Sequence, residues 1–210
     1  MKRLLPLTAA LGLLAAAPAG ADVGAFSLDL GGGAALVRTP ATYAAGSPGQ
    51  TALTPVIWLD ARYAWSNQLE LTGSAFFETG ASCSVTDATA PTATGSFVGT
   101  LQFKAKRFAA LVGGRAVRGS VWRLLVGAEL GLSLTSFSGA RLVNSSGQDI
   151  GLHLSDSISP SVVLAPSAGL AWVGDRLTVA LVPRAELLVG SSVTWALLVP
   201  LTIGWDFYFR

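Results

Sequence analysis

The last eighteen residues of the chain, 193 to 210, alternate strictly between apolar side chains and smaller or polar ones. Every second residue contributes to one wholly apolar face: Val193, Trp195, Leu197, Val199, Leu201, Ile203, Trp205, Phe207 and Phe209. A repeat of two residues is the period of a β-strand, because successive side chains point to opposite sides. An apolar face of this length is typical of a strand that meets lipid on one side and a packed, more polar lumen on the other. The pattern therefore predicts the closing strand of a transmembrane β-barrel.

The same alternation predicts seven earlier strands. We place them at residues 26–38, 55–65, 68–78, 97–118, 122–136, 160–173 and 177–189. The connections alternate between long and short, with long loops at 39–54, 79–96 and 137–159 and a short last connection at 190–192. Long surface loops and short periplasmic turns are the usual arrangement of such barrels. The sequence thus predicts an all-β fold, an antiparallel up-and-down barrel of eight strands.

Two irregularities are expected within these strands. The segment 97–118 is long, with Leu101 and Phe103 assigned to the outside and Lys104 and Lys106 to the inside of its first half. A bulge near Lys106 to Phe108 would shift the register there and preserve the even strand number of single-chain bacterial barrels. The triple glycine 31–33 predicts a bend or bulge in the first strand, since glycine tolerates unusual backbone angles.

Aromatic residues give a separate indication of membrane boundaries. One group lies beside the short turns and the other beside the long loops: Trp65, Trp122, Trp172, Trp205, Phe207 and Phe209, then Phe77, Phe97, Phe137 and Trp195. Such rings collect at the two membrane interfaces and form girdles. A polytopic helical protein is the competing interpretation, because residues 187–205 are uncharged and long enough for a spanning helix. Pro200, the glycine and serines at 190–192 and the period of two all disfavour it.

Residues 1–21 have the layout of a cleaved signal peptide. Lys2 and Arg3 precede an apolar run, and Ala19-Gly20-Ala21 forms a small-x-small site, which predicts cleavage after Ala21 and a single barrel domain at 22–210. Without Lys2 and Arg3 the chain carries 12 basic and 12 acidic residues, so no basic surface for nucleic acid is indicated.

The cysteine and histidine content limits the chemistry that is possible. Cys83 is the only cysteine and His153 the only histidine, which excludes an internal disulfide and gives no support for a metal site built from these ligands. We predict no cofactor and an inert role for Cys83.

The end of the chain resembles the C-terminal sorting signal of bacterial outer-membrane proteins. The matching residues are Thr202, Gly204, Phe207 and Phe209, and the chain departs from the pattern by ending on Arg210 rather than on the aromatic residue. This resemblance implies recognition by the barrel-assembly machinery and a location in the outer membrane, in contact with its lipid.

Many charged side chains are predicted to point into the lumen. They are Asp29, Asp60, Arg62, Glu70, Lys104, Lys106, Arg123, Glu129, Arg184, Glu186 and Asp206. The lumen of an eight-stranded barrel is just wide enough for side chains, so opposite charges are expected to pair and close it. We assign none of them a catalytic role.

The whole segment 22–210 resembles the small outer-membrane barrels of the OmpA-like or OmpX-like type. That resemblance implies a non-enzymatic protein with a structural or surface-contact role, in adhesion or envelope integrity, whose loops 39–54, 79–96 and 137–159 meet partners. One alternative is an OmpW-like barrel that passes small hydrophobic solutes and has an apolar lumen near the long fourth strand. The other is a lipid A modifying enzyme using His153 beside Ser155, Asp156 and Ser157. The oligomeric state stays open.

Overall fold

The computed structural model describes residues 23–38, 51–92, 95–153 and 155–207. All of its regular elements are strands: β1 Phe26–Arg38, β2 Thr51–Ser66, β3 Leu69–Thr92, β4 Gly95–Arg118, β5 Trp122–Val143, β6 Asp149–His153, β7 Ser157–Val173, β8 Leu177–Leu181, β9 Arg184–Val189 and β10 Val193–Phe207. Across these ranges no helix is long and apolar enough to cross a bilayer. The predicted signal peptide and the loop 39–50 lie outside the described residues.

The strands close into a ring of eight. β1 pairs antiparallel with both β2 and β10, so the first and last strands meet. β8 and β9 follow one another along β10 and β7 and act as one strand, interrupted at Val182 and Pro183. Proline has no N–H to donate to the ladder, which accounts for the break. β6 is a short addition to the end of β5. The predicted eight-stranded barrel is confirmed.

The closing strand has the predicted faces. Side chains of β10 alternate without exception between exposed and buried from Val193 to Phe207. Its register with β1 is continuous from Phe26 opposite Phe207 to Val37 opposite Ala196. The apolar face therefore points away from the barrel, while Phe209 of the predicted sorting signal lies outside the described residues.

Two of the predicted loops are instead long hairpins, so their assignment as loops is wrong. β3 continues to Thr92 and β4 begins at Gly95, while β5 continues to Val143 and pairs with β6. Buried Ala81 alternates with exposed Ser82 there, so the small residues form a strand with its apolar side inward. We call the end of the barrel with these extensions the hairpin end and the opposite end the turn end.

The bulge predicted near Lys106 to Phe108 is also wrong. β4 pairs with β5 without interruption from Lys104 to Arg118, and its odd-numbered side chains point inward from Leu101 to Val117. Lys104 and Lys106 are consequently exposed on the outside. A register shift does occur opposite this segment, in β3 between Glu78 and Ala81. The polarity of the two faces inverts beyond the apolar belt, although the inward and outward alternation of β4 does not change.

The triple glycine does not form a bulge. Gly31, Gly32 and Gly33 pair in continuous register with β2 and β10. A Cβ at Gly31 would meet the backbone of Leu201 and Thr202, and one at Gly33 the backbone of Val199 and Pro200. These glycines therefore allow a close approach of β1 and β10.

The aromatic girdles are present with one clear exception. Trp65, Trp122, Trp205 and Phe207 are exposed near the turn end, as are Phe77 and Trp195 toward the hairpin end. The assignment of Phe137 to a girdle is wrong. Its side chain is completely buried and contacts Phe103 edge-on, with ring centroids 6.0 Å apart. Phe97 is partly buried in the same group. We call this group the outer apolar cluster: Ala81, Cys83, Ala88, Leu101, Phe103, Ala105, Phe137, Ala140 and Leu142.

Candidate functional site

The lumen collects most of the charged residues predicted to lie there. Asp60, Arg62, Glu70, Glu129, Arg184 and Glu186 are all buried. Arg123 is half-buried beside the turn that precedes β5, where its Nε donates to the carbonyl of Ser120 at 3.2 Å. Lys104 lies on the outside of β4, so its assignment to the lumen is wrong. Arg107 and Arg115 of the same strand are buried as well, although the sequence prediction assigned faces only to the first half of this strand.

A cluster of ion pairs fills the turn end of the lumen. Arg62 on β2 contacts Asp29 on β1 through Nε at 2.5 Å and through Nη2 at 2.7 Å. Its Nη2 also lies 3.6 Å from Asp206 on β10. Arg115 reaches Glu70 at 2.6 Å and Asp60 at 3.6 Å. The Arg62 guanidinium therefore joins three strands: β2, to which it belongs, and β1 and β10, the first and the last.

Gly204 of the predicted sorting signal is part of this cluster. It pairs with Asp29 across the seam where β1 meets β10. A Cβ at Gly204 would overlap the carboxylate of Asp29 and lie against Nη2 of Arg62. Ser27 on the same edge donates its hydroxyl to Asp206. Because Gly204 has no side chain, the Asp29–Arg62 ion pair can occupy this space at the seam.

A column of four stacked side chains crosses the middle of the lumen. The Arg184 guanidinium lies 4.3 Å from the ring centre of Trp58, and the Arg107 guanidinium lies 5.0 Å from that of Phe76. The two rings stack on each other, 4.7 Å apart and inclined by 6°. Cations over aromatic faces are attracted by the ring quadrupole, more strongly when water is excluded. We call these four residues the aromatic column.

Both ends of the aromatic column are anchored by carboxylates. Arg184 pairs with Glu129, which also accepts a hydrogen bond from the hydroxyl of Ser74 at 2.6 Å. Arg107 donates from Nε to Glu78 at 3.0 Å and lies 2.7 Å from Glu186 through Nη1. Toward the hairpin end, the outer apolar cluster follows directly. The charges therefore fix the rings in place across the pore.

Little space remains inside the barrel. One cavity of about 10 Å³ lies among Trp58, Asp60, Glu129 and Arg184, and another of about 20 Å³ lies beside Arg107 toward the hairpin end. A site needs roughly 10–15 Å³ to hold one water molecule. Along the described strands the lumen is a packed interior, with room for isolated waters rather than for a column of water or a solute.

Removal of one arginine from this interior should be costly. Arg107→Met leaves Glu78 and Glu186 buried without their shared cation, and breaking a buried ion pair costs about 3–5 kcal/mol. We expect the free energy of unfolding in detergent micelles, measured by urea titration, to fall by that amount. Lys106→Met, on the exposed face of the same strand, is the control and should change it by less than about 0.5 kcal/mol. Equal stabilities of the two variants would contradict the assigned role.

The described part of the structure does not show the residues of the enzymatic alternative as one catalytic group. The backbone of His153 pairs with Arg141, but its side chain lies outside the described part. The carboxylate of Asp156 accepts a hydrogen bond from the backbone N–H of Gly139 at 3.2 Å. Among the described residues, no group of three or more histidine, cysteine, aspartate or glutamate side chains could hold a metal ion.

Comparison with known proteins identifies the fold. No protein-family model and no curated protein sequence matches the chain. Solved structures do match. Ail, the attachment invasion locus protein of Yersinia pestis, in complex with the heparin analogue sucrose octasulfate, is similar with a TM-score of 0.53 and 15% identity, over 89% of this chain and 100% of that one. Neisserial surface protein A is similar with a TM-score of 0.55 and 16% identity, over 88% and 99%.

These identities are low, and the likeness concerns the fold. The likeness extends over nearly the whole of this chain and of each compared chain. It agrees with the closed ring, the exposed apolar belt and the charged interior found here. The chain is a small eight-stranded β-barrel of the outer-membrane type, with the OmpA-like or OmpX-like fold.

Proposed function

We propose that this protein resides in the bacterial outer membrane, where it acts as a sealed, non-catalytic barrel with a structural or surface-contact role. The signal peptide at 1–21 would direct export, and Thr202, Gly204, Phe207 and Phe209 would be read by the barrel-assembly machinery. The hairpin end would face the exterior, where its extensions meet other surfaces.

The filled lumen is the observation that supports this proposal. The aromatic column and its carboxylates occupy the cross-section, and the two cavities beside them measure only about 10 and 20 Å³, close to the least that one water needs. A pore needs a continuous polar channel. Larger barrels have such a channel, whereas side chains fill the lumen of eight-stranded barrels. Such an interior favours a scaffold over a route for solutes.

The hairpins supply the surface that a scaffold would present. The first part of β4 is fourteen residues long, from Gly95 to Phe108, and Phe108 is 48% exposed in the apolar belt. At about 3.3 Å per residue this is roughly 40 Å of strand, measured along its own direction. Ail, which shares the fold, is an attachment invasion locus protein, and this supports a contact role here.

The proposal is tested by conductance and adhesion together. We expect no channel activity from the purified barrel in planar bilayers. Cells expressing the protein should adhere to host-cell or matrix surfaces more than cells expressing a variant in which residues 82–103 are replaced by a two-residue turn. The variant must still show a heat-dependent shift in gel mobility, which reports a folded barrel. Equal adhesion by both, or conductance of the intact protein, would argue against the role.

One observation favours the OmpW-like alternative. The inward side chains along the hairpin end of β4 are apolar, including Leu101 and Phe103, as a hydrophobic solute route would require. They are nonetheless closely packed. Measurable conductance of the wild-type protein would favour that alternative. A change in the lipid A mass spectrum that is lost in His153→Ala would favour the enzymatic one.

A further inference from the structure

A groove lies on the outside of the hairpin end, between β3, β4 and β5. Its volume is about 580 Å³, and Ser82, Ser84, Gln102, Lys104, Gly139 and Arg141 line it. Lys104 and Arg141 are both exposed. We call it the outer groove. Cys83 and Phe103 also border it, but its polar lining residues belong to the outward face of the sheet, away from the lumen.

The outer groove is rich in cations and hydroxyls. Arg141 donates from Nε and Nη2 to the amide oxygen of Gln102, at 3.3 and 3.2 Å, which holds its guanidinium along the groove. Ser82 pairs opposite Lys104. Among the described residues no ion pair links Lys104 or Lys106 to a carboxylate, while the carboxylate of Asp156 accepts a hydrogen bond from the backbone N–H of Gly139, which lines the groove. This chemistry suits an anion with several oxygens.

The position of the groove relative to the apolar belt indicates where such an anion comes from. Phe108, Lys106 and Lys104 follow one another on the same outward face of β4. With about 3.3 Å per residue, the two lysines lie roughly 7 and 13 Å along the strand from the last aromatic ring. Because barrel strands tilt by about 35–45°, this places the lysines roughly 5 and 10 Å beyond that ring along the barrel axis, at the level of lipid headgroups rather than of hydrocarbon. A headgroup anchored by its own acyl chains is held beside the groove, whereas a free anion must be captured from solution.

We propose that the outer groove binds the phosphorylated saccharide headgroup of an outer-leaflet glycolipid. Lys104 and Arg141 pair with phosphate oxygens, and Ser82 and Gln102 hydrogen-bond the sugar. The inference rests on the proposed outer-membrane location and orientation. It adds a specific lipid site to a barrel otherwise in contact with acyl chains alone.

The test uses the intact barrel in phosphatidylcholine nanodiscs with added bisphosphorylated lipid A, and counts retained lipid by native mass spectrometry. We expect the wild-type protein to retain lipid A in preference to its dephosphorylated form. Each cation near an anionic surface contributes about fivefold in affinity, so Lys104→Gln/Arg141→Gln should weaken retention roughly 25-fold. Arg176→Gln, which removes an exposed cation at the turn end, is the matched control and should retain lipid as the wild type does.

Three outcomes would overturn the site. They are equal retention of the phosphorylated and dephosphorylated lipids, retention unaffected by the double variant, and binding of inorganic phosphate or a soluble sulfated saccharide as strong as that of lipid A. Circular dichroism and gel mobility are measured on the same samples. Loss of the β-spectrum in the wild type would count against the barrel and its location, whereas a folded wild type without lipid preference would count against the groove alone.

Discussion

Trp58→Ala is expected to convert the sealed barrel into a conducting one. The indole lies between the Arg184 guanidinium and the ring of Phe76, and it lines the cavity beside Asp60. Gly31, its partner on β1, has no side chain that could fill the vacated space. Removing a buried tryptophan costs about 3–5 kcal/mol of stability. We therefore expect both a lower free energy of unfolding and ion currents in planar bilayers where the wild type shows none.

Trp65→Ala provides the matched control for this experiment. Trp65 is 64% exposed on the outside of the same strand, so its loss leaves the lumen intact. Neighbouring side chains could collapse into the space left by Trp58, and Trp58→Ala/Phe76→Ala removes the second ring for that reason. If neither variant conducts while both remain folded barrels, the aromatic column does not seal the pore.

Gly204→Ala is expected to destabilise the barrel at its seam. The new methyl group would overlap the carboxylate of Asp29 and press on Arg62, so the buried pair must separate or the two strands must part. Loss of a buried ion pair costs about 3–5 kcal/mol. Urea unfolding of protein refolded into micelles measures this effect without the assembly machinery, and thus apart from any role of Gly204 in sorting. Gly73→Ala, where an added Cβ meets nothing within 4 Å, is the control.

A double-mutant cycle shows whether Asp29 is the cause. If overlap with its carboxylate is responsible, Asp29→Ala should remove much of the penalty of Gly204→Ala, because the two changes share one contact. Additive losses would locate the strain elsewhere, for instance in the backbone of β10.

Within the apolar belt, local alternation was enough to assign most side chains to a face. Asp60, Arg62, Glu129 and Arg184 were predicted to point inward and are buried, because the contrast between the apolar outer face and the charged inner face is strong there and the period of two fixes the rest. The same contrast gave the ring of eight strands and the outward face of β10.

Outside the apolar belt the same reasoning failed. On β4 the outward face turns polar at Lys106 because it meets water, and the inward face turns apolar at Ala105 because it packs against other strands. The inverted contrast resembled a register shift, so Lys104 was placed inside, and Arg107 was assigned to no face. A pattern of polarity does not reveal a face unless the surrounding solvent is known.

The sequence by itself determined the fold class, the strand number and most inward charges of the apolar belt, since these depend on side chains two residues apart, although it did not place Arg107 and Arg115. Only the tertiary structure decided which charges meet. Asp29, Arg62 and Asp206 come from three strands distant in sequence, and their contact depends on the stagger between strands as the barrel closes. The stacking of Trp58 on Phe76 and the position of the outer groove above the apolar belt depend on the same stagger. Strand stagger is a property of the closed ring, which no single stretch of sequence contains.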